Sequence, residues 1–185
     1  MNAANFVFVG IRNEAVALDA ATGDIAWHTR LENGDGYVNV VCDDPRLFAA
    51  THGEIFCLDA GTGRKLWHNP LKGLGLGLVT IAVADLVYVG IRDSVVALDL
   101  ATGYPVWQIQ LTGVELVNVL LDEGNLLATT RGEIFCLDPA NGSTRWHNTL
   151  KGLGAGAATI TTNAGRQTGQ PTTMAELRRR AQQSD

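Results

Sequence analysis

The stretch Ala97-Leu98-Asp99-Leu100-Ala101-Thr102-Gly103-Tyr104-Pro105-Val106-Trp107 decides the fold of this chain, because its frame occurs four times. Each copy has a small residue, Leu and Asp in succession, then a Gly four residues after the Asp and a Trp four residues after the Gly. The glycines and tryptophans are Gly23 and Trp27, Gly63 and Trp67, Gly103 and Trp107, and Gly142 and Trp146. Successive tryptophans are 40, 40 and 39 residues apart, so the chain is a tandem repeat.

A period of about 40 residues is typical of one four-stranded β-propeller blade. Within the third copy, β-branched and aromatic residues recur in residues 87–91, 95–98 and 106–109, as expected for strands. The Asp-x-x-Thr-Gly segments between strands suit tight turns, because Asp can accept from backbone amides and Gly can adopt a positive φ. The sequence therefore predicts an all-β protein with four four-stranded blades.

Counting strands predicts how the blades close. The predicted repeats are 6–31, 37–71, 78–111 and 116–150, followed by a closing strand at 157–162. With strands named A to D from the propeller axis outward, the chain begins at a B strand and ends at an A strand. The last A strand can therefore complete the first blade and remove an exposed inner edge.

Closure has two solutions, a four-bladed ring within one chain or an eight-bladed ring made by two chains that exchange A strands. We favour the eight-bladed homodimer, since small residues at the blade core suit near-parallel stacking. These residues are Ala17, Cys57, Ala97 and Cys136. Copies one and three resemble each other more than their neighbours, as do copies two and four, which indicates duplication of a two-blade unit.

The repeated frame resembles the repeat of the pyrroloquinoline quinone (PQQ)-like β-propellers, over residues 6 to about 162. The resemblance implies a ring of seven or eight blades, in which the tryptophans and glycines of the frame dock neighbouring blades. It also implies kinship with quinone-dependent alcohol and sugar dehydrogenases, whose cofactor sits over the axis with calcium and a catalytic acid. Their vicinal cysteine pair and a recognisable calcium ligand set are missing from this sequence, and a shared fold does not transfer chemistry.

Aligning the A strands places four polar residues at one position, Asn39, Thr80, Asn118 and Thr159. Alternate residues of an innermost strand face the axial channel, so we expect a polar ring there. Such a ring could bind a small polar ligand or hold ordered water.

Two Leu-Lys-Gly-Leu-Gly loops, at 71–75 and 150–154, join a D strand to the next A strand. Lys72 and Lys151 could present cations beside glycine amides and bind an anion, although the spacing of a phosphate-binding loop is absent. The alternative is a purely structural glycine-rich turn.

Other candidate ligands have simpler interpretations. His28, His68 and His147 each follow a repeat Trp on a different blade, which favours a surface or interblade role over a zinc site shared with His52. Cys57 and Cys136 replace alanines, and Cys42 aligns with Leu121, which indicates small buried apolar residues. Carboxylates pair in turns, where calcium is conceivable but solvation is the ordinary state. They are Glu32 with Asp35, Asp43 with Asp44, and Asp122 with Glu123.

Composition excludes several partners. A net charge of -5 argues against binding nucleic acid, which needs clustered Lys and Arg. Three cysteines leave one unpaired, and neither a signal-peptide pattern nor an apolar run of about 18 residues is visible. We therefore expect a cytoplasmic protein without a membrane span, although a chain whose leader had been removed would read the same way.

The tail, 163–185, breaks the repeat. Residues 173–176 form a plausible capping box for a short helix, and Arg178, Arg179 and Arg180 make the tail basic. Such a helix is marginal on its own, so the tail either docks, binds a partner or stays mobile.

The repeated residues are explained by packing, and no nucleophile or acid–base pair stands out. The sequence therefore predicts a non-enzymatic binding or scaffolding propeller without a cofactor, its ligand or protein partner at the loop face or channel mouth. One rival is an oxidoreductase that uses PQQ with calcium. Another is a recently amplified or engineered repeat protein without an evolved ligand.

Overall fold

The computed structural model of the chain describes residues 5–32, 36–112, 116–156 and 158–163. Fifteen strands lie within these ranges. They are β1 (Phe6–Ile11), β2 (Glu14–Asp19), β3 (Ile25–Arg30), β4 (Asn39–Asp43), β5 (Arg46–Thr51), β6 (Glu54–Asp59), β7 (Lys65–Asn69), β8 (Val79–Val83), β9 (Leu86–Ile91), β10 (Ser94–Asp99), β11 (Pro105–Gln110), β12 (Asn118–Asp122), β13 (Asn125–Thr130), β14 (Glu133–Leu137) and β15 (Thr144–Asn148).

The strands form four meandering sheets. The first has three strands in the order β1-β2-β3, and the others have four strands each, β4 to β7, β8 to β11 and β12 to β15. The prediction of an all-β chain of propeller blades is confirmed, including the start at a B strand. The chain divides into two compact units, Met1–Val79 and Thr80–Asp185, each with two of the sheets.

The predicted closing strand at 157–162 is not among the strands of the described residues. Residues 158–163 carry no strand, and Ala157 lies outside the described residues, as does the predicted tail helix. None of the four sheets includes a strand from this segment. Its completion of the first blade stays a prediction.

The small residue of each repeat has a clear packing role. Ala17 pairs across the hairpin with Trp27, and Cys57 pairs in the same way with Trp67. Ala97 and Cys136 face Trp107 and Trp146. In every case the register shifts immediately after the small residue, at a bulge before the Leu. A larger side chain would compete with the indole for the same face of the sheet.

Each unit has its own apolar core between its two sheets. In the first unit, Leu47, Ala49, Phe56 and Leu58 are buried with Trp27 packed against them. In the second unit the equivalent cluster includes Tyr88, Val95, Leu126, Phe135 and Leu137. Successive residues of each strand therefore face this core and the opposite side of the sheet in turn, which explains the alternating pattern of apolar residues in the sequence.

The Asp-x-x-Thr-Gly turns have the predicted hydrogen bonds. Asp19 Oδ1 accepts from the amides of Ala21 and Thr22 at 2.8 and 3.1 Å, while the Gly23 amide donates to the Asp19 carbonyl at 2.8 Å. Gly23 has a φ of 77°, a left-handed conformation that glycine adopts without steric cost. The Asp and Gly positions of the repeat are thus fixed by one local turn.

We expect the acid sensitivity of the protein to be reduced by Asp59→Asn. The Thr62 hydroxyl, donating to Asp59 Oδ1 at 2.7 Å, lowers the pKa of this carboxyl below its ordinary value. A lowered folded-state pKa adds stability above the unfolded pKa of about 4, and that stability is lost as the pH falls through the folded value. Thermal unfolding from pH 7 to pH 2 should show variant and wild type converging below about pH 4.

The asparagine keeps the Oδ1 acceptor, so the turn itself is preserved. Asp24→Asn, in an exposed position five residues after Asp19, is the control. A melting-temperature difference for Asp59→Asn that stayed constant down to pH 2 would contradict the proposed linkage.

Candidate binding loops and inter-repeat contacts

The polar residues of the innermost strands are engaged with the backbone. Asn39 Nδ2 donates to the carbonyl of Val79 at 3.1 Å, and Thr80 Oγ1 donates to the carbonyl of Val117 at 2.7 Å. Asn118 Nδ2 donates to the carbonyl of Ala158 at 2.5 Å. In each case the acceptor precedes the equivalent polar position of the next repeat. All three donors are buried, and their side chains join successive repeats.

Thr159, the fourth member of the predicted ring, is exposed and makes no hydrogen bond within the described part of the chain. That all four residues face one channel stays a prediction. The three buried donors satisfy main-chain carbonyls that would otherwise be unpaired. Ligand binding by this set stays a prediction.

The repeat tryptophans meet the repeat glycines within each unit. Trp27 Nε1 donates to the carbonyl of Ala60 at 3.1 Å, and its ring lies over Gly63, where a Cβ would sit 2.5 Å from Cε3. Trp107 Nε1 donates to the carbonyl of Pro139 at 3.0 Å and lies over Gly142 in the same way. Only a residue without a side chain leaves room for the indole at these positions.

The remaining tryptophans differ from one another. Trp67 is half-buried, with its ring centroid 5.9 Å from that of Phe48. Trp146 is 48% exposed, and its Nε1 finds no acceptor among the described residues. The last copy of the frame therefore presents its indole to solvent.

The lysine loops are ordered by their own hydrogen bonds. In the first loop, Asn69 Oδ1 accepts from the Leu71 amide at 2.8 Å, and the Leu74 amide donates to the Leu71 carbonyl at 3.1 Å. The Gly53 amide donates to the Gly77 carbonyl at 3.1 Å, which ties the loop to the hairpin turn between β5 and β6. A Cβ on Gly53 would lie 2.5 Å from the carbonyl oxygen of Gly75, so glycine is required.

The second loop repeats this arrangement in the other unit. Asn148 Oδ1 accepts from the Leu150 amide at 2.8 Å, the Leu153 amide donates to the Leu150 carbonyl at 3.0 Å, and Gly132 packs against Gly154. Leu71 and Leu150 both adopt a left-handed φ of 44°. The two loops are therefore held in one conformation by equivalent contacts.

Each loop presents apolar and cationic side chains together. Leu76 is 65% exposed in the first loop and Leu153 is 80% exposed in the second, and each loop also carries an exposed lysine, Lys72 or Lys151. Exposed leucine on an ordered turn is what a protein-binding surface offers, since its burial by a partner is favourable. We call residues 71–77 and 150–156 the binding loops.

Sequence reasoning missed Asn69 and Asn148. Both end the Trp-His-Asn motif shared by copies two and four, and both begin the turn that orders a binding loop. The available signal was Asn two residues before Leu-Lys-Gly, a spacing typical of an Asx turn.

The histidines pair with glutamates of the same sheet. His28 Nδ1 lies 3.3 Å from Glu14 Oε2, while His68 Nε2 and His147 Nε2 each lie 3.0 Å from a Glu Oε2, on Glu54 and Glu133. His68 stacks on Phe56 and His147 stacks on Phe135, with centroids 4.3 and 4.1 Å apart. Among the described residues, no three His, Cys, Asp or Glu side chains converge as metal ligands would.

Burial raises the pKa of the three cysteine thiols. The side chains of Cys57 and Cys136 are buried, and desolvation raises the pKa of Cys57 to about 12 and raises that of Cys136. Cys42 is exposed, and its pKa is also raised, chiefly by partial burial and then by Asp44. A protonated thiol is a poor nucleophile and metal ligand, so these cysteines do not form a reactive site.

The turn carboxylates that the structure describes are bound to protein partners or solvated. Lys65 Nζ donates to Glu32 Oε1 at 2.6 Å and lowers the pKa of that carboxyl, whereas Asp35 lies outside the described residues. Asp43 and Asp44 are exposed, and Glu123 lies in the left-handed turn after Asp122.

No helix long and apolar enough to cross a membrane occurs in the part of the chain that the structure describes.

Four meandering sheets with a repeated Trp–Gly contact define the class of this protein as a β-propeller built from PQQ-like repeats. The chain belongs to the family described as "Outer membrane protein assembly factor BamB", which it matches over residues 11–179. No curated protein sequence matches it.

Several solved structures share the fold. BamB from Moraxella catarrhalis is 23% identical with a TM-score of 0.65, covering 77% of this chain and 46% of that one. Quinohemoprotein alcohol dehydrogenase from Comamonas testosteroni is 16% identical with a TM-score of 0.65, covering 78% and 33%. The computationally designed Ika8 protein is 18% identical with a TM-score of 0.67, covering 86% and 51%. The chain thus spans between a third and about half of the length of these proteins.

Proposed function

We propose that this protein is a non-enzymatic binding module that holds a protein partner on its binding loops. The observation that carries the proposal is the exposure of Leu153 and Leu76 on turns that are fixed by side-chain and backbone hydrogen bonds. An ordered loop loses little conformational entropy on binding, so most of the favourable free energy of burying its leucine contributes to affinity. The family description, an assembly factor, supports a protein as partner.

The chemistry of the loops specifies the partner. Lys72 and Lys151 are exposed cations in the same loops as Leu76 and Leu153, in a chain whose net charge is -5. An acidic protein segment with apolar side chains complements such a loop and is repelled by most of the remaining surface. The assembly that we propose for the module is a homodimer formed by exchange of A strands.

Enzymatic function is less well supported by the residues. PQQ with calcium requires converging oxygen ligands, and the described residues contain no such cluster of His, Cys, Asp or Glu. Three polar side chains of the innermost strands, Asn39, Thr80 and Asn118, donate to main-chain carbonyls of the protein itself. These two observations favour the binding module over the oxidoreductase.

Photocrosslinking tests the proposal. A photoreactive phenylalanine replaces Leu153 or Leu76 in cells that make the protein, and Tyr104, which is 74% exposed, is the control position. We expect one protein adduct common to both loop positions, absent at Tyr104 and weakened by Lys72→Glu with Lys151→Glu. No adduct at either loop, or the same adduct at Tyr104, would contradict the proposal.

An activity assay separates the rival function. PQQ and calcium are added to the protein, and dye-coupled oxidation of alcohols and sugars is measured. Clear turnover would establish an oxidoreductase and reject the non-enzymatic proposal. The absence of both adducts and turnover would favour a repeat protein without an evolved ligand.

A further inference from the structure

The hairpin turn between strands B and C begins with a basic residue in every blade. These turns are residues 12–13, 52–53, 92–93 and 131–132, and we call them the B–C turns. Their first residues are Arg12, His52, Arg92 and Arg131, and all four are exposed. The φ angles of these residues are 44°, 50°, 52° and 49°, so each has a left-handed conformation. Every blade therefore presents a basic side chain from the same turn.

The geometry of the turn does not explain the basic residue. A left-handed conformation is unfavourable for a residue with a long side chain, and Asn, Asp and Gly adopt it most readily. Asn13, Gly53 and Gly132, at the second position of three of the turns, follow this preference. The arginines at the first position do not, so their side chains need an explanation other than the fold of the turn.

The arginines of the B–C turns are not used within the chain. Arg12, Arg92 and Arg131 make no side-chain hydrogen bond or ion pair with any residue that the structure describes. By contrast, Nη2 of Arg145 lies 2.8 Å from Oδ2 of Asp138. The guanidinium groups of three B–C turns are therefore able to bind an anion that comes from another molecule.

The carboxylates closest in sequence to these arginines already have partners. In the second unit, Asp93 Oδ2 accepts from the Gln110 side chain at 2.8 Å. Glu133 Oε2 accepts from the Thr112 hydroxyl at 2.8 Å and lies 3.0 Å from His147 Nε2. A carboxylate that pairs with the guanidinium groups of this unit is therefore best supplied by a partner.

A B–C turn packs against a binding loop. A Cβ at Gly132 would lie 2.5 Å from the carbonyl oxygen of Gly154 and 3.2 Å from Ala155 Cα, both in the second binding loop. Because consecutive Cα atoms are about 3.8 Å apart, Arg131 Cα lies within about 9 Å of Ala155 Cα. A protein segment that covers the binding loop therefore comes close to the arginine of the turn.

Both B–C turns of a unit lie at the same ends of its strands. In the second unit, the Asp93 carbonyl accepts from the Leu111 amide at 2.6 Å, and Glu133, directly after the other turn, accepts from the next residue, Thr112. The first unit has equivalent hydrogen bonds around residues 36–37. Each unit thus combines two B–C turns and one binding loop in one surface.

The turns at the opposite ends of the strands are mostly acidic. In a meander, the A–B and C–D turns lie at one end of the strands and the B–C turns lie at the other. The carboxylates in the A–B and C–D turns and in the strand ends beside them are Asp19, Asp24, Asp43, Asp44, Asp59, Asp85, Asp99, Asp122, Glu123 and Asp138. The basic residues there are fewer, namely Arg46, Arg64, Lys65 and Arg145. An acidic partner is therefore attracted to the B–C turns and repelled by the opposite turns.

We propose that Arg12, Arg92 and Arg131 bind carboxylate groups of the acidic protein segment that the binding loops hold. The inference rests on the proposed function and adds the residues that select the segment. A guanidinium group keeps its charge and presents a planar fork that matches the two oxygens of a carboxylate. The leucines of the binding loops supply the apolar contact, and the arginines require carboxylates among the apolar side chains of the partner.

Peptide binding tests the role of the arginines. The probe is a fluorescent peptide of alternating aspartate and leucine, and its anisotropy gives the dissociation constant. We expect Arg131→Asn to weaken binding by roughly 3- to 10-fold, as for a charge-assisted pair at an exposed site, and the double variant with Arg92→Asn to weaken it further. A peptide with asparagine in place of aspartate should bind weakly and should not respond to either substitution.

Arg64→Asn is the matched control, because it removes the same charge from an exposed arginine in a C–D turn. It should leave the dissociation constant of the acidic peptide unchanged. Arg131→Lys should restore part of the affinity lost in Arg131→Asn, since lysine keeps the charge but lacks the planar fork.

Asparagine at position 131 separates binding from folding. It adopts a left-handed conformation more readily than arginine, so Arg131→Asn should be at least as stable as the wild type. Urea denaturation measures the free energy of unfolding. Weaker peptide binding by a protein of equal or greater stability is the result expected for a binding residue, and a purely structural residue would not give it.

His52→Arg tests the proposal by a gain of binding. The turn at 52–53 carries histidine where the other B–C turns carry arginine, and the Gly53 amide donates to the Gly77 carbonyl of the first binding loop at 3.1 Å. We expect His52→Arg to strengthen binding of the acidic peptide by roughly 2- to 5-fold, because arginine adds a permanent charge and a second donor group. His28→Arg, an exposed position on β3, is the control and should have no effect.

The outcomes distinguish this proposal from the proposed function. Equal affinity of the wild type and the Arg92→Asn, Arg131→Asn double variant overturns the proposal, as does an equal loss for Arg64→Asn or a failure of the acidic peptide to bind. Photocrosslinking from position 153 in the double variant then tests the function separately. An undiminished adduct keeps the proposed function and rejects the role of the arginines, whereas no adduct at either binding loop of the otherwise unchanged chain rejects both.

Discussion

Gly63→Ala is expected to lower the free energy of unfolding by roughly 2–5 kcal/mol, the combined cost of overpacking and of a left-handed non-glycine residue. The new methyl group would lie 2.5 Å from Trp27 Cε3 and 2.6 Å from Thr29 Oγ1. Both side chains also donate to carbonyls nearby, Trp27 to Ala60 and Thr29 to Gly63 itself. Moving the indole away therefore breaks hydrogen bonds as well as packing. Urea denaturation measures the change.

Gly124→Ala separates the two costs. Gly124 has a φ of 74°, almost that of Gly63 at 72°, and nothing lies within 4 Å of its Cβ position. Its substitution should cost only the conformational term, about 1–2 kcal/mol. Equal losses for Gly63→Ala and Gly124→Ala would show that the indole does not constrain the glycine.

Asn39→Leu is expected to cost about 1–3 kcal/mol, because a buried carbonyl loses its donor without a compensating bond to water. Asn39 is buried and donates to the Val79 carbonyl across 40 positions of sequence. Leucine has a volume similar to that of asparagine, so the decrease in the free energy of unfolding measures the lost hydrogen bond more than the creation of a cavity. Urea denaturation again gives the difference.

Asn5→Leu is the control, because Asn5 is exposed. It should change the free energy of unfolding by less than about 0.5 kcal/mol, as surface substitutions do. An Asn39→Leu variant as stable as the wild type would mean that the amide contributes nothing to the joining of repeats.

The sequence alone was sufficient for the sheets, because each blade is a local meander. Ala17, Leu18 and Asp19 with Gly23 and Trp27 lie in one hairpin, so their spacing reports a structure made by near neighbours. Because this spacing depends only on contacts within one hairpin, it is the same in every repeat. The strand order and the start at a B strand could therefore be predicted.

Contacts between repeats were harder to predict. The sequence places Asn39 on an innermost strand, but whether its amide turns to a channel or to a carbonyl 40 residues away depends on the spacing of the sheets. The sequence also did not show the exposure of Leu153, since the same Gly-Leu-Gly sequence surrounds Leu74, which is only partly exposed. The direction of these side chains is set by tertiary distances that a repeat period does not contain.

The hydrogen bonds between repeats have a consequence for how such genes change. Their acceptors are main-chain carbonyls, belonging to residues as different as Ala60 and Pro139 for tryptophan. The threonine and the glycine that admits it, Thr80 and Gly90, lie on adjacent strands of one sheet and so travel together when DNA is exchanged. A recombination event that inserts, deletes or reorders whole blades therefore recreates working interfaces at once, without any compensating substitution.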